Sequence, residues 1–327
     1  MPDSNLFLAG DIGGTNTRLA LAAVQGDRVD ILLRRHFANR EADGLETLLS
    51  GFLAGQPAPA AACLAVAGPT DGRRARLTNL PWLIDADALA SRLGLRRAAL
   101  INDFVAVGHG LSALGDGELA VLQAGETLPD APRVALGPGT GLGVVQCIPT
   151  AAGYRPLPSE GGHMAFAPMD ALQDRLLAYL RRRHGRVSVE RILSGPGLTD
   201  LYGFFRAESE MPGDPADDSP AAVSAAALAH RDGAAQAALE SFCRILGQVA
   251  GDLALLAQAR GGVYLAGGIA LKILPALSGV AFLEGFTGKG RFSEWMSGVP
   301  VRVVLDEAVG LKGAALAASR LSALPGG

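Results

Sequence analysis

The sequence predicts an α/β protein of two domains. Short apolar runs that end in glycine-rich turns alternate with amphipathic helical stretches, the pattern of sheets covered by helices. The chain has 327 residues, enough for two domains and a large core. Hydrophobic residues make up 49% and charged residues 19%, the balance of a globular rather than a disordered chain.

The elements follow in order. Residues 6–37 read as three strands: Leu6 to Ala9, Thr17 to Ala22 and Val29 to Leu33. Leu45 to Ala54 reads as a helix, and Cys63 to Ala67 as a buried strand stopped by Gly68-Pro69. Asp85 is placed to cap a helix running to Leu93. A strand then ends at Asn102-Asp103, with a helix through Val107. The passage into the second domain falls near Asp116-Gly117, where a strand-rich pattern restarts. Strands are expected at 133–148 and 154–166, and a helix from Ala171 to Arg183. Met211 to Pro220 has the composition of a surface loop. A long helix spans about Ala234 to Gln258. Its residues Leu239, Phe242, Leu246, Val249, Leu253 and Leu256 step by three and four, one apolar stripe for the core or a dimer contact. A last helix covers about Gly310 to Leu321.

Chemistry concentrates at the turns. Gly10-Asp11-Ile12-Gly13-Gly14-Thr15-Asn16-Thr17-Arg18 follows an apolar strand. Glycines there allow bare backbone N–H groups to approach phosphate oxygens, and Asp11 can hold the Mg²⁺ that travels with a nucleotide. Read by itself, the segment also fits a β-hairpin with a special turn. It is neither a P-loop nor a dinucleotide fingerprint. Leu136-Gly137-Pro138-Gly139-Thr140-Gly141-Leu142-Gly143 is a second such turn between apolar runs, and Ala266-Gly267-Gly268-Ile269 a third, from strand to helix. Between the first two, Asn102-Asp103 closes a short apolar run. Each element alone has a packing explanation: Asp103 a helix cap, Asn102 a turn residue, Ser159-Glu160-Gly161-Gly162-His163 a loop with a satisfied histidine, Glu190 a solvated acid.

Together these segments resemble the bacterial glucokinase family of the actin-like sugar-kinase superfamily. The resemblance runs over nearly the whole chain, and Ser159 to His163 and Glu190-Arg191-Ile192-Leu193-Ser194-Gly195-Pro196-Gly197-Leu198 are its most diagnostic parts; Lys289-Gly290-Arg291-Phe292 belongs to it as well. It implies an actin-like ATPase (ribonuclease H-like) fold with a central cleft. The last helix would return to the first domain, giving 1–115 plus about 309–327 as the small domain and 116–308 as the large one. It implies ATP-dependent phosphorylation of D-glucose, with Asp103 as general base and Asn102, Asp103, Glu160, His163 and Glu190 on the sugar. Asp11, Gly13, Gly14, Thr15, Asn16, Gly139, Thr140, Gly141, Gly267 and Gly268 would face ATP, with Asp11 holding Mg²⁺ through water. A homodimer is a further expectation from the resemblance, and a kinase for another hexose or an amino sugar is the alternative activity.

Several classes are set aside. Net charge is −3 with the two signs interspersed, which argues against a nucleic-acid or anionic-membrane surface. Cys63, Cys147 and Cys243 are far apart in apolar contexts, as reduced buried thiols of a cytoplasmic protein would be. Met164 to Pro168, after Gly162-His163, lacks the cysteines of a related zinc-binding kinase group. The acidic Met1 to Asn5 and the short run after it do not form a signal peptide, and no run approaches the ~18 apolar residues of a membrane span. Ten residues precede Asp11, too few for the helix-turn-helix of a sugar-responsive regulator. His36, His109, His184 and His230 have no motif around them and read as structural or surface residues, and Arg181 to Arg183 as a solvated helix end.

Overall fold

The computed structural model describes residues 6–41, 44–68, 70–77, 82–209 and 217–323. The expectations for Met1 to Asn5, and for the surface loop as far as residue 216, lie outside the described residues. Residue contacts divide the chain into two units, 1–116 with 152–158 and 306–327, and 117–151 with 159–305.

The first unit is built on strands β1 (Leu6–Ile12), β2 (Asn16–Gln25), β3 (Arg28–Ala38), β4 (Ala61–Val66) and β7 (Ala98–Asn102), with a small β5 (Arg74–Arg76) and β6 (Leu83–Asp85) hairpin apart from them. The sheet order is β3-β2-β1-β4-β7. β1, β4 and β7 run parallel, and β2 and β3 antiparallel, so three carboxyl strand ends lie side by side. Side chains alternate along β1. Leu6, Leu8 and Ile12 join a cluster with Leu49 and Phe52 of helix Leu45–Leu53 and Leu89 of helix Ala86–Leu93. Phe7 and Ala9 join the opposite cluster with Leu311, Ala314, Ala315 and Ala318 of helix Val309–Ala323. Asp85 caps its helix as read, accepting from Asp87 and Ala88 N–H.

That second cluster is rich in alanine, so the covering helix sits close. It also crosses helix Asp103–Gly110 at glycines. A Cβ at Gly313 would stand 1.7 Å from the Ala106 carbonyl oxygen, and one at Gly110 would stand 2.1 Å from that of Val309. Arg320 of the same helix donates to His109 Nδ1 at 3.0 Å and to the Tyr154 carbonyl at 3.4 Å, and lies 3.7 Å from Asp27. Guanidinium only donates, so His109 accepts as a neutral ring. Burial, helped by the Arg320 charge, pulls its pKa from 6.5 down to about 4.

The second unit contains β8 (Leu119–Gln123), β9 (Arg133–Pro138), β10 (Leu142–Thr150), β12 (Gly262–Leu265) and β13 (Val301–Val304), ordered β10-β9-β12-β13-β8. Strand β11 (Gly153–Leu157) falls in the residues grouped with the first unit. The expected strand 154–166 therefore stops at Leu157. Pro158 has no N–H for a ladder, and Gly161–His163 is instead a tight turn closed by Met164 N–H to the Gly161 carbonyl at 3.1 Å. Helix Gly233–Ala257 runs through the core, with Phe242 and Leu246 fully covered, but Leu256 is 77% exposed. A stripe of period 3.5 drifts about 20° per heptad around a straight helix, and by the last turn it has left the core. Helices Gly195–Ser209 and Pro220–Leu228 were not legible. Gly195-Pro196-Gly197 reads as loop, and the second helix follows a proline-rich stretch. Cys63, Cys147 and Cys243 are buried and unbridged. Among the described residues no helix is long and apolar enough to cross a membrane.

Gly313→Ala should lower unfolding free energy by about 2–4 kcal/mol, because backbone rather than a side chain must move; urea denaturation would measure it. The His109 ring binds a proton near 6.5 when unfolded and near 4 when folded. Its stability contribution is whole above the upper value and is lost as pH falls toward the lower one, on the order of 3 kcal/mol. His109→Gln keeps an acceptor for Arg320 and cannot titrate there. The stability of wild type relative to this variant should therefore fall between about pH 7 and about pH 4; a constant difference would place the imidazole in water.

Candidate active site

In the first unit the site residues gather at the carboxyl ends of the parallel strands, where ligands of open α/β sheets bind. The turn after β1 is closed by Gly13 N–H to the Asn16 carbonyl at 2.9 Å. Asn39, 2% exposed, fixes it from outside. Its Nδ2 donates to the Gly13 carbonyl at 2.8 Å, its N–H to the Thr15 carbonyl at 2.9 Å, and its Oδ1 accepts from the Thr17 hydroxyl at 2.7 Å. Among the described residues the N–H groups of Gly14 and Thr15 have no hydrogen-bond partner, and Thr15 and Asn16 are exposed. Two open donors in a rigid turn suit anionic oxygens.

Asp11 lies across the strand pair from Arg18, with 3.7 Å between the charged groups. Burial raises the Asp11 pKa, and Arg18 offsets part of that rise. A carboxylate that is a third exposed at a strand end and only loosely paired can hold a hard dication. Among the described residues there is no cluster of three metal-binding side chains. A single carboxylate of this kind fits Mg²⁺ that keeps waters and substrate oxygens.

Asn102 ends β7 and caps helix Asp103–Gly110, its Oδ1 accepting from Phe104 N–H at 2.9 Å and Val105 N–H at 3.3 Å. The cap is therefore Asn102, and Asp103 is the first helical residue, half-buried, with Oδ1 2.9 Å from Phe104 N. Asn102 Nδ2 points to the Gly68 carbonyl at the end of β4, 3.4 Å away. With its oxygen committed to the cap, the amide can offer its N–H₂ group.

In the second unit the turn 138–142 and the acidic residues are one construction. Gly139 N–H donates to the Gly141 carbonyl at 2.7 Å, and Gly195 N–H to the Gly139 carbonyl at 2.8 Å. Leu142 N–H donates to Glu190 Oε2 at 2.9 Å. A Cβ on Gly141 would stand 2.4 Å from that carboxylate oxygen, and one on Gly162 would stand 2.2 Å from the Leu142 carbonyl. The strip after His163 is laced to the strip before Glu190: Val189 N–H to the Met164 carbonyl at 2.9 Å, Phe166 N–H to the Val187 carbonyl at 3.2 Å, and Arg186 to the His163 carbonyl at 2.7 Å. His163 consequently stands between two carboxylates, 4.0 Å from Glu190 and 3.9 Å from Glu160. Glu190 is the sheltered one, 31% exposed against 65% for Glu160. Thr140 is exposed beside them. Gly267, at φ 91° and 3.2 Å from the Pro138 carbonyl by its missing Cβ, starts the short helix Gly268–Lys272 next to the same turn.

The structure thus collects Asp11, Gly13, Gly14, Thr15, Asn16, Asn102 and Asp103 on the first unit's strand ends. It collects Gly139, Thr140, Gly141, Glu160, His163, Glu190, Gly267 and Gly268 around β9 and β10 of the second. Sequence reasoning missed Asn39 and Arg186. Arg186 acts on a backbone carbonyl, and Asn39 on two backbone carbonyls and the Thr17 hydroxyl, partners that neither residue type announces; Ser159, whose hydroxyl accepts from Gly161 N–H at 2.9 Å, at least stood within the recognised motif.

The two units carry the actin-like ATPase fold of sugar kinases. A glucokinase family model matches residues 8–321. Curated glucokinases from Nostoc punctiforme and Zymomonas mobilis are each 40% identical to this chain. The first alignment covers 97% of the chain and 99% of the relative, the second 95% and 97%. The crystal structure of a glucokinase from an Antarctic psychrotroph superposes with a TM-score of 0.87 at 33% identity, over 97% of this chain and 99% of that one. A ROK family glucokinase from Streptomyces griseus, solved with glucose and AMPPNP, shares the fold at 21% identity and TM-score 0.67, over 96% and 99% of the two chains. The chain belongs to the glucokinase family.

Gly141→Ala should displace the Glu190 carboxylate and free the Leu142 amide. Hydrogen exchange at Leu142 should then rise about tenfold or more, with distant core amides unchanged. An unaltered rate would mean that the turn tolerates the methyl.

Proposed function

We propose that this chain transfers the γ-phosphoryl group of ATP to the 6-hydroxyl of D-glucose. The observation that carries the reading is the Leu142–Glu190 hydrogen bond, which fastens a sugar-type carboxylate to a phosphate-type turn. Membership of the glucokinase family supports it. Glu160 and Glu190 accept from sugar hydroxyls, Glu190 through Oε1 because Oε2 is held by Leu142 N–H. His163 donates to a sugar oxygen, and Asn102 donates through Nδ2. The Asp103 carboxylate takes the proton of the 6-hydroxyl as that oxygen attacks the γ-phosphorus, and the bond from that phosphorus to the departing ADP oxygen breaks. Gly13, Gly14, Thr15 and Asn16 hold phosphate oxygens, as do Gly139, Thr140 and Gly141, while Gly267 and Gly268 face the nucleoside. Asp11 would hold Mg²⁺ through water, and the ion would neutralise charge on the phosphates.

We further propose that the protein works in the cytoplasm as a homodimer. Three unbridged, buried thiols suit a reducing compartment. The pairing is carried over from the family, and the solution mass from sedimentation equilibrium would read it.

A coupled assay with ATP and a hexose panel tests the activity. Glucose should be the preferred acceptor, and preference for another hexose or an amino sugar would replace it as the substrate. Asp103→Asn should lower kcat by ~10²–10⁴ with little change in glucose affinity; near-normal turnover would remove it as the base. Glu190→Ala and His163→Ala should each cost ~1.5–3 kcal/mol of glucose binding and leave the KM for ATP nearly unmoved. Equal losses for both substrates would put these residues elsewhere.

A further inference from the structure

A cavity of about 300 Å³ opens on the second unit among helices Ala171–His184, Gly195–Ser209 and Gly233–Ala257. None of the residues assigned above to ATP, Mg²⁺ or glucose lines it. Its size is at the lower end of small-molecule sites. Leu176, Phe204 and Ile245 give it apolar walls, and Phe205 is only partly covered.

Gln173 is the telling residue. It lines the cavity yet is only 4% exposed. Its carboxamide oxygen accepts from Met169 N–H at 2.9 Å, and its own N–H donates to Asp170 Oδ1 at 2.8 Å. The side-chain amide nitrogen has no partner among the described residues, nor has the Ser241 hydroxyl on the opposite wall. The carboxamide is anchored by its oxygen in a mostly covered side chain, so its N–H₂ group is a pre-positioned donor for a ligand that accepts at the cavity.

Charge narrows the ligand. Arg244 is occupied by Glu284 at 2.6 Å and Glu240 at 3.5 Å. Asp170 and Glu240 on the lining leave acid in excess, which excludes phosphorylated ligands. An ammonium group would meet the Gln173 donor and the Arg244 cation. A neutral polyhydroxylated ring satisfies all of them: its hydroxyls donate to the carboxylates and accept from Gln173 and Ser241, and its C–H face lies on apolar walls. We propose that this cavity is a second, weaker site for a neutral hexose, separate from the candidate active site. The proposal does not depend on the kinase reading, because occupancy is read directly.

Calorimetric titration of the full chain with D-glucose, without ATP, should show two molecules bound per chain, the second with a Kd of about 1 mM or weaker. Ser241→Ala should weaken that second event about tenfold and leave the first unchanged. Gln173→Glu, which keeps the acceptor for Met169 N–H, should do the same or more. Ser241→Ala alone suffices if the other variant fails to fold. Glucose binding with no event that Ser241→Ala weakens overturns the proposal, whether one molecule or two are bound. So does binding of ethanolamine that Ser241→Ala weakens, with no second glucose event. If the chain proves not to phosphorylate glucose, the event sensitive to Ser241→Ala still reports this cavity.

Discussion

One hydrogen bond organises the glycine-turn side of the second unit. Leu142 N–H is the first amide of β10 after the glycine turn, and it donates to Glu190 from a segment almost fifty residues later in the chain. The bond is possible because residue 141 has no Cβ, and the carboxylate oxygen occupies the space that one would fill. Gly162 lets a third segment close on the same place, against the Leu142 carbonyl. A charge-assisted bond is roughly twice as strong as a neutral one. It also sets geometry: the turn, the Glu160–His163 loop and the Glu190 strip cannot move independently without breaking it.

The first unit uses a different principle. Its candidate site residues stand where three parallel strands stop, so the sheet supplies the alignment and short side chains finish it. Asn39 and Asn102 play matching parts there. Each spends its amide locally, Asn39 on the Gly13 carbonyl and the Thr17 hydroxyl at the turn after β1, Asn102 on the first turn of helix Asp103–Gly110. The helix that begins at Asp103 is held again at its far end, by the glycine crossing and by Arg320 on His109. Asp103 is thus positioned from both directions by groups that touch no reacting atom.

The local chemistry of the chain was largely legible. Glycine turns after apolar runs marked the strand ends, and Asp85 announced its helix, because these are effects of neighbours in sequence. The Glu160, His163 and Glu190 segments were legible only as a family pattern. Nothing in an isolated glutamate says that an amide forty-eight positions earlier will bind it. The errors have the same origin. The strand expected over 154–166 overlooked Pro158 and a turn fixed by contacts with the 187–189 strip. The helical stripe ending at Leu256 ignored the slow rotation of a heptad pattern on a straight helix. Asn39 and Arg186 left no trace, since their partners are distant in sequence and, apart from the Thr17 hydroxyl, are backbone.

The covering of the first sheet by helix Val309–Ala323 also bears on how the chain is made. Phe7, Ala9 and Ala61 face that helix, but just over two hundred residues separate Asn102 from Val309. At roughly 5–20 residues per second, a ribosome needs on the order of ten to forty seconds to deliver it. Throughout that interval the earlier strands have emerged while their alanine-rich face stays bare. The second unit, inserted between, has its whole core available before the first can close. The helix that completes the first sheet is thus among the last parts of the chain to be made, after every residue of the second unit.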